Sequence, residues 1–344
     1  MNVASPVAAS TTLPTSRLVQ AAAFIQLGRL KFLLYSPILY GLGAALALGG
    51  SGHVNGRMYF FGLAVVWITH AMTHYCNEYF DYDADVANVH ATPFTGGSRV
   101  LVDGLLARNV ALRAALALTG VSLVMMLALP TTTAKIVCLA AIALAWMYST
   151  PPFRLVGRGL GEITVVVVLN VLTPLFGLVV QGGTIGVRLF AVVVPLGVIG
   201  YMRMLIMSIP DREGDALAGK RTVVVRVGPE AVVHLHNAGM FLAYASLPIL
   251  VLLGLPKTVA ACVALTAPLA VWQSVRLHQG AWKSSAMLRS IPFWASTHNA
   301  LAALAALLGS LLLQHASWSS LSVQLFPAAL YLGSLGYFAA KARA

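Results

Sequence analysis

Charge is what this sequence has least of. Only 9% of its 344 residues are Asp, Glu, Lys or Arg, against about a quarter in soluble domains. With 59% apolar residues and a mean hydropathy of +0.83, a water-soluble globule is excluded. Cysteine is nearly as scarce: Cys76, Cys138 and Cys262 stand far apart with no CxxC pair, so neither a disulfide framework nor a cysteine zinc site is supported. The first sixteen residues are rich in Ser, Thr and Ala but lack the basic and apolar regions of a secretion signal, so no signal peptide is expected. The stretch 1–16 is expected to be disordered.

What the chain does have is long apolar runs. A bilayer core about 30 Å thick needs about 20 helical residues, and ten stretches of roughly that length occur, near 32–50, 58–76, 111–129, 134–148, 163–181, 189–207, 239–255, 258–275, 291–313 and 323–340. The fold class expected is therefore all-α, a polytopic transmembrane helical bundle forming a single membrane-embedded domain over 1–344. With the N-terminus placed on one side, 18 of the 22 Lys and Arg residues fall on that side, leaving only Arg57, Lys135, Arg188 and Lys257 opposite. The positive-inside rule makes the richer side cytoplasmic. It also accounts for the net charge of +12 without any nucleic-acid partner.

The ten acids are still more lopsided, because all of them lie on the cytoplasmic side. The positive-inside rule places no such demand on carboxylates, so a cytoplasmic function is expected to need them. Two connections on that side are long, 77–110 and 208–238, and function concentrates in long connections.

The first reads His74-Tyr-Cys-Asn77-Glu-Tyr-Phe-Asp81-Tyr-Asp-Ala-Asp85, placing Asn77, Asp81 and Asp85 four residues apart. On a helix that spacing keeps three oxygen-bearing side chains near one face. The second holds Asp211-Arg-Glu-Gly-Asp215, followed by Gly219-Lys220-Arg221-Thr222. Carboxylate clusters at a membrane need a neutralising cation, and hard oxygen donors suit magnesium or calcium. Magnesium shares its coordination sphere with substrate phosphates, so two facing clusters would hold a diphosphate through bridging ions. A single DxxxD is more often a solvated helix end; two of them on one face point to a site.

In this setting Asn77-xxx-Asp81-xxx-Asp85 and Asp211-xxx-Asp215 resemble the paired motifs of the UbiA-type prenyltransferase family. Tyr148-Ser149-Thr-Pro-Pro, Gly159-Leu-Gly161-Glu162 and Gly219-Lys220-Arg221-Thr222 fit the same pattern, over roughly residues 25–313. The segment Thr92-Pro-Phe-Thr-Gly96-Gly97-Ser98-Arg99-Val100 resembles the loop of the branch that prenylates 1,4-dihydroxy-2-naphthoate in menaquinone biosynthesis. Two features depart from that branch. Met207-Ser208-Ile209-Pro210 stands where paired asparagines and a basic residue are common, and 323–340 adds a tenth segment to the family's nine helices.

The resemblance implies an enzyme that binds a prenyl diphosphate through Mg2+, ionises it to an allylic cation and lets an electron-rich aromatic acceptor attack. Asn77, Asp81, Asp85, Asp211 and Asp215 would hold the metal, the four aspartates serving catalysis. Arg29, Arg99, Tyr148, Ser149, Arg154 and Lys220 would bind the diphosphate. The implied location is a prokaryotic plasma membrane, with N-terminus and active site cytoplasmic. Transfer to another aromatic or to a glycerol phosphate acceptor, and prenyl cyclisation, remain open within the same scaffold.

Two rivals fare worse. Asp103-Gly104-Leu-Leu-Ala107-Arg108 matches the front of the CDP-alcohol phosphotransferase signature, but Ala117 replaces its next glycine and 109–129 contains no acid. A cation transporter would place its carboxylates near the bilayer midplane, not all at one interface. His70 and His74 share an i, i+4 spacing without the intervening Glu of a zinc helix, and are expected to pack or hydrogen-bond inside the bundle.

Overall fold

Lipid offers the backbone no hydrogen-bonding partner, so each segment of so apolar a chain must satisfy its own amides, and helices do this locally. A computed structural model describes residues 16–51, 53–313 and 318–343. Among them no strand forms, and the one extended pairing is an isolated bridge between Thr92 and Thr95. The stretch 1–16, expected to be disordered, lies outside the described residues except for Ser16.

Among the described residues, nine long helices and a tenth at the C-terminal end build the bundle, with three short ones beside them. In chain order they are α1 (Arg17–Leu27), α2 (Ser36–Ser51), α3 (Gly56–Phe80), α4 (Tyr82–Ala87), α5 (Arg108–Leu127), α6 (Thr132–Ser149) and α7 (Gly161–Val180). There follow α8 (Val187–Met207), α9 (Arg212–Leu217), α10 (Val223–Leu252), α11 (Lys257–His278), α12 (Ile291–Leu312) and α13 (Trp318–Arg343). By length and apolarity, eight described segments can cross a bilayer: α2 with the turn before it, α5, α6, α7, α8, α10, α11 and α12. The protein is an integral membrane protein. Of the ten expected spans, α3 is long enough at 25 residues, but His70, His74, Asn77 and Glu78 dilute its hydropathy. The stretch 323–340 is helical within α13, which packs on α2, α3 and α12.

One expectation needs correcting. The connection 208–238 is shorter than expected: α9 occupies part of it, and α10 begins at Val223 rather than near 239. His234, His236 and Asn237 lower the hydropathy of that stretch without interrupting its helical period, which is broken only at Gly228, φ 81°. Likewise α3 runs on to Phe80 and α4 follows at once.

Without a hydrophobic drive between helices in lipid, close packing of small residues holds them together. The tightest crossing is that of α2 with α7. A Cβ built on Gly43 would fall on the Pro174 carbonyl, and one on Gly177 on the Tyr40 carbonyl. Helix α7 also carries a π-helical stretch, Val167–Leu172, an irregularity that often accompanies functional sites. It aims buried Asn170 sideways, where its Nδ2 donates to Tyr35 Oη and to the Leu196 carbonyl, both at 3.0 Å.

Gly177→Val should cost about 3 kcal/mol or abolish folding, because backbone cannot yield as a side chain does. Gly120→Ala on α5, where a Cβ meets nothing within 4 Å, should be neutral or stabilise by up to about 1 kcal/mol. Thermal unfolding of both detergent-solubilised variants checks the contrast.

Candidate active site

The two acidic motifs meet at one end of the bundle because short helices carry them inward from opposite sides. Asn77 lies in the last turn of α3; Asp81 ends that helix at a bend, and α4 brings Asp85. The amide of Asp81 bonds to the Asn77 carbonyl (2.8 Å) and that of Asp85 to the Asp81 carbonyl (3.0 Å). The i, i+4 register therefore survives the bend. In the second motif Asp211 caps α9 and Asp215 lies one turn on, its amide 2.8 Å from the Asp211 carbonyl.

Helices α4 and α9 touch through Gly214, where a Cβ would come within 2.8 Å of Asn88 Cβ. Asn88 Nδ2 in turn donates to Asp211 Oδ1 at 2.8 Å. Gly97 plays a similar part for the first motif, since a side chain there would displace the Asp85 carboxylate.

Between the motifs stands Lys220. Its ammonium lies 3.0 Å from Asp81 Oδ2 and 3.0 Å from Asp215 Oδ1, and all three side chains are buried. Burial works against the lysine's charge, but the two carboxylates outweigh it and hold its pKa above the ordinary value. Burial pushes Asp85 and Asp211 up to about 7, with Asp215 adding to the effect on Asp211. It raises Asp215 as well.

These groups line the mouth of a cavity of about 270 Å³. Asn77, Asp81, Asp85, Asp211, Asp215, Lys220, Arg29 and Tyr148 all face it, whereas its deep end is apolar, with Val65, Val137, Leu172 and Phe176. From Asp81 to Val65 along α3 the rise is about 24 Å at 1.5 Å per residue.

Among the described residues no group of three or more His, Cys, Asp or Glu encloses a metal. The donor set still suits Mg2+, because it consists of oxygens alone and this ion needs only one or two carboxylates beside waters and substrate phosphate. Asp81 Oδ1 is moreover a buried acceptor with no donor. Residues and ion therefore fit.

The remaining sequence candidates are placed differently. Arg29 faces the cavity but is paired with buried Glu78, which also accepts from the Ser98 amide and hydroxyl, each at 2.7 Å. Burial opposes the Arg29 charge, yet Glu78 keeps its pKa above the ordinary value. Arg99 turns back to donate to the carbonyls of Asp85 (2.5 Å) and Asn88 (3.5 Å), bracing the end of α4. Ser149 is buried and accepts from Asn77 Nδ2 at 3.2 Å, while the same amide donates to Asp81 Oδ2 at 2.7 Å. Arg154 does not line the cavity. Arg29, Arg99 and Arg154 are the non-glycine residues with left-handed backbone among those described, at φ 48°, 66° and 44°. Such conformations cost roughly 1 kcal/mol or more each and gather at functional sites.

His70 bonds to Ser36 Oγ at 3.0 Å and stacks on His74, 4.9 Å between ring centres, in keeping with packing inside the bundle. Sequence reasoning missed the parts played by Glu78, which sits inside the first motif, and Asn88, which follows it. It also counted Arg203 among the face-setting cations. The structure adds what that count could not show: Arg203 is buried in α8, four residues before its end, at 8% exposure.

Comparison with known proteins agrees with this architecture. The model of the UbiA prenyltransferase family matches residues 34–297. The chain belongs to that family, and is a prenyltransferase. It is 26% identical over 299 residues to a 2-carboxy-1,4-naphthoquinone phytyltransferase of Synechocystis sp., covering 86% of this chain and 85% of that one. It is 29% identical over 214 residues to a digeranylgeranylglyceryl phosphate synthase of Thermococcus kodakarensis, covering 60% and 69% respectively. A solved UbiA homologue of Archaeoglobus fulgidus, bound to GPP and Mg2+, superposes with a TM-score of 0.59 at 16% identity, covering 83% of this chain and 99% of its own. The apo homologue of Aeropyrum pernix gives 0.60 at 19%, covering 78% and 96%.

Glu78→Gln should lower thermal stability by about 3 kcal/mol, because it strands the Arg29 guanidinium in a buried place. Adding Arg29→Gln should recover part of the loss, and a double-mutant cycle on purified protein measures the coupling.

Proposed function

We propose that this prenyltransferase moves a prenyl group from an isoprenoid diphosphate to an aromatic acceptor, 1,4-dihydroxy-2-naphthoate, in menaquinone biosynthesis. One observation carries the donor half: a single cavity joins a mouth of facing carboxylates to an apolar interior. The diphosphate belongs at the mouth and the isoprenoid chain along α3. The Archaeoglobus homologue, bound to GPP and Mg2+, supports the same assignment.

Asn77, Asp81, Asp85, Asp211 and Asp215 hold Mg2+, which when bound neutralises charge developing on the departing diphosphate. Lys220 holds a carboxylate of each motif and offsets part of their charge before substrate arrives, then turns its ammonium to the diphosphate. Tyr148 and Arg29 complete the polar wall, Arg99 braces the end of α4, Ser149 positions Asn77, and Arg154 stands near the mouth as a further diphosphate candidate. The allylic C–O bond breaks with its electron pair leaving on the diphosphate. Walls such as Val137 and Leu172 deny the cation a water, and the ring's π electrons form the new C–C bond. With a naphthoate the carboxyl carbon departs as carbon dioxide, its bonding pair restoring the aromatic ring, so no oxidant is needed.

The loop 92–100 supports the naphthoate acceptor, as does likeness to the Synechocystis phytyltransferase. Likeness to the Thermococcus synthases keeps a glycerol phosphate acceptor as the second reading. The 18 of 22 cations on one side support a prokaryotic plasma membrane with the N-terminus and the site cytoplasmic.

Asp81→Asn and Asp211→Asn should each abolish prenyl transfer in membranes, a loss of at least about a thousandfold, while the variants accumulate normally. EDTA should do the same to the wild type, reversibly with Mg2+. Near-normal turnover in both variants counts against the metal assignment. With carboxyl-labelled dihydroxynaphthoate, product formation should release labelled carbon dioxide in equal amount; label retained in the prenylated product excludes this acceptor chemistry.

A further inference from the structure

Arg203 is a buried charge that the donor site leaves without a task. Its side chain makes no ion pair among the described residues. Its contacts are the Met204 sulfur, 3.1 Å from Nη2, and the ring of Tyr35, 5.8 Å from the guanidinium carbon. Nε is fully buried with no partner. A guanidinium cannot shed its proton to escape burial, and a buried charge lacking a counter-ion destabilises a fold. Keeping one here makes sense when an anion joins it.

The surroundings say which anion. Arg203 lies where the main cavity meets a second, smaller one of about 40 Å³; Phe32, Tyr35 and Phe94 line both. On its far wall the small cavity has Phe293 of α12 and Tyr331 of α13. Tyr35 is itself held by Asn170 from the π-helical stretch of α7. Ring faces on several sides and one guanidinium fork suit a flat aromatic acid: aromatic rings pack against one another, and Arg matches a carboxylate with two parallel hydrogen bonds. Lys31 also lines the small cavity, its ammonium 5.1 Å from the centre of the Phe94 ring, and adds positive potential for the incoming anion.

We propose that Arg203 and Tyr35 form the acceptor-reading wall of the enzyme, receiving the carboxylate of an aromatic acid at the junction of the two cavities. The ring carbon that bears the carboxylate then faces the main cavity and the donor, and α13 closes the chamber behind it through Tyr331. This rests on the prenyl-transfer reading for there being an acceptor at all, but assigns its class and the residue that selects it.

The test separates binding from turnover. In detergent-solubilised full-length protein, 1-hydroxy-2-naphthoate should raise the thermal midpoint, and 1-naphthol, which lacks the carboxylate, should do so much less. Arg203→Gln should erase that difference, and Arg203→Lys should retain part of it. In turnover, Arg203→Gln should raise KM for the carboxylated acceptor roughly thirtyfold or more, with KM for the prenyl diphosphate unchanged. The proposal is overturned if Arg203→Gln discriminates as the wild type does, if the wild type treats acid and naphthol alike, or if geranylgeranylglyceryl phosphate protects where the naphthoate does not. Should Arg203→Gln fail to fold, Tyr331→Ala reads the chamber from its other wall: severalfold weaker protection by the acid supports the assignment, and unchanged protection overturns it. If the wild type makes no prenylated product from any acceptor, the transfer reading falls, and the binding comparison still decides the role of Arg203.

Discussion

Negative charge gathered at the edge of a low-dielectric bundle is the constraint from which the rest of this structure follows. Asp81, Asp85, Asp211 and Asp215 share the mouth of one cavity, where their mutual repulsion and lost hydration would drive the mouth open. Lys220 prevents this by standing 3.0 Å from a carboxylate of each motif. Asn77 and Asn88 supply further donors to Asp81 and Asp211. The acids stay close enough together to serve one ligand, and their neutralisation is provisional, because a lysine on a flexible stem can be displaced by a more highly charged cation.

Around that centre the backbone is held in conformations it would not choose alone. Arg29, Arg99 and Arg154 take left-handed φ values, and Gly97 and Gly214 leave space that any side chain would fill. Glu78 secures the loop at Ser98 and the turn at Arg29 simultaneously. This preorganisation places donors and acceptors before substrate enters, which is what stabilising a departing diphosphate demands. Deeper in the bundle the character reverses: Val65, Val137, Leu172 and Phe176 line the cavity, and glycines bring α2 and α7 into close contact.

Local spacing made much of this legible in advance. Apolar runs of spanning length, the one-sided cations and acids, and the two DxxxD repeats all concern residues close in sequence or properties summed along it. The DxxxD spacing survives folding because a helix converts i, i+4 spacing into one face. Hydropathy misled only where polar residues ride on a continuing helix, as at His234 and His236 on α10. The burial of Arg203 was hidden for a related reason: a cation four residues from a helix end has the same sequence signature whether it snorkels to water or turns into the bundle.

By itself, then, the sequence determined that this chain lives in a bilayer, that its basic and acidic residues share a face, and that its motifs are those of a prenyl-transferring helical bundle. Tertiary structure decided which charge meets which. Lys220 lies 139 residues from Asp81, Asn170 lies 135 from Tyr35, and Arg203 lies far from Tyr331 in sequence. Such pairings depend on how α3, α7, α8 and α13 cross, and a crossing is set by side-chain shape along entire helix faces. No local period encodes it, which is why the two motifs could be read from the sequence and the partner of each charge could not.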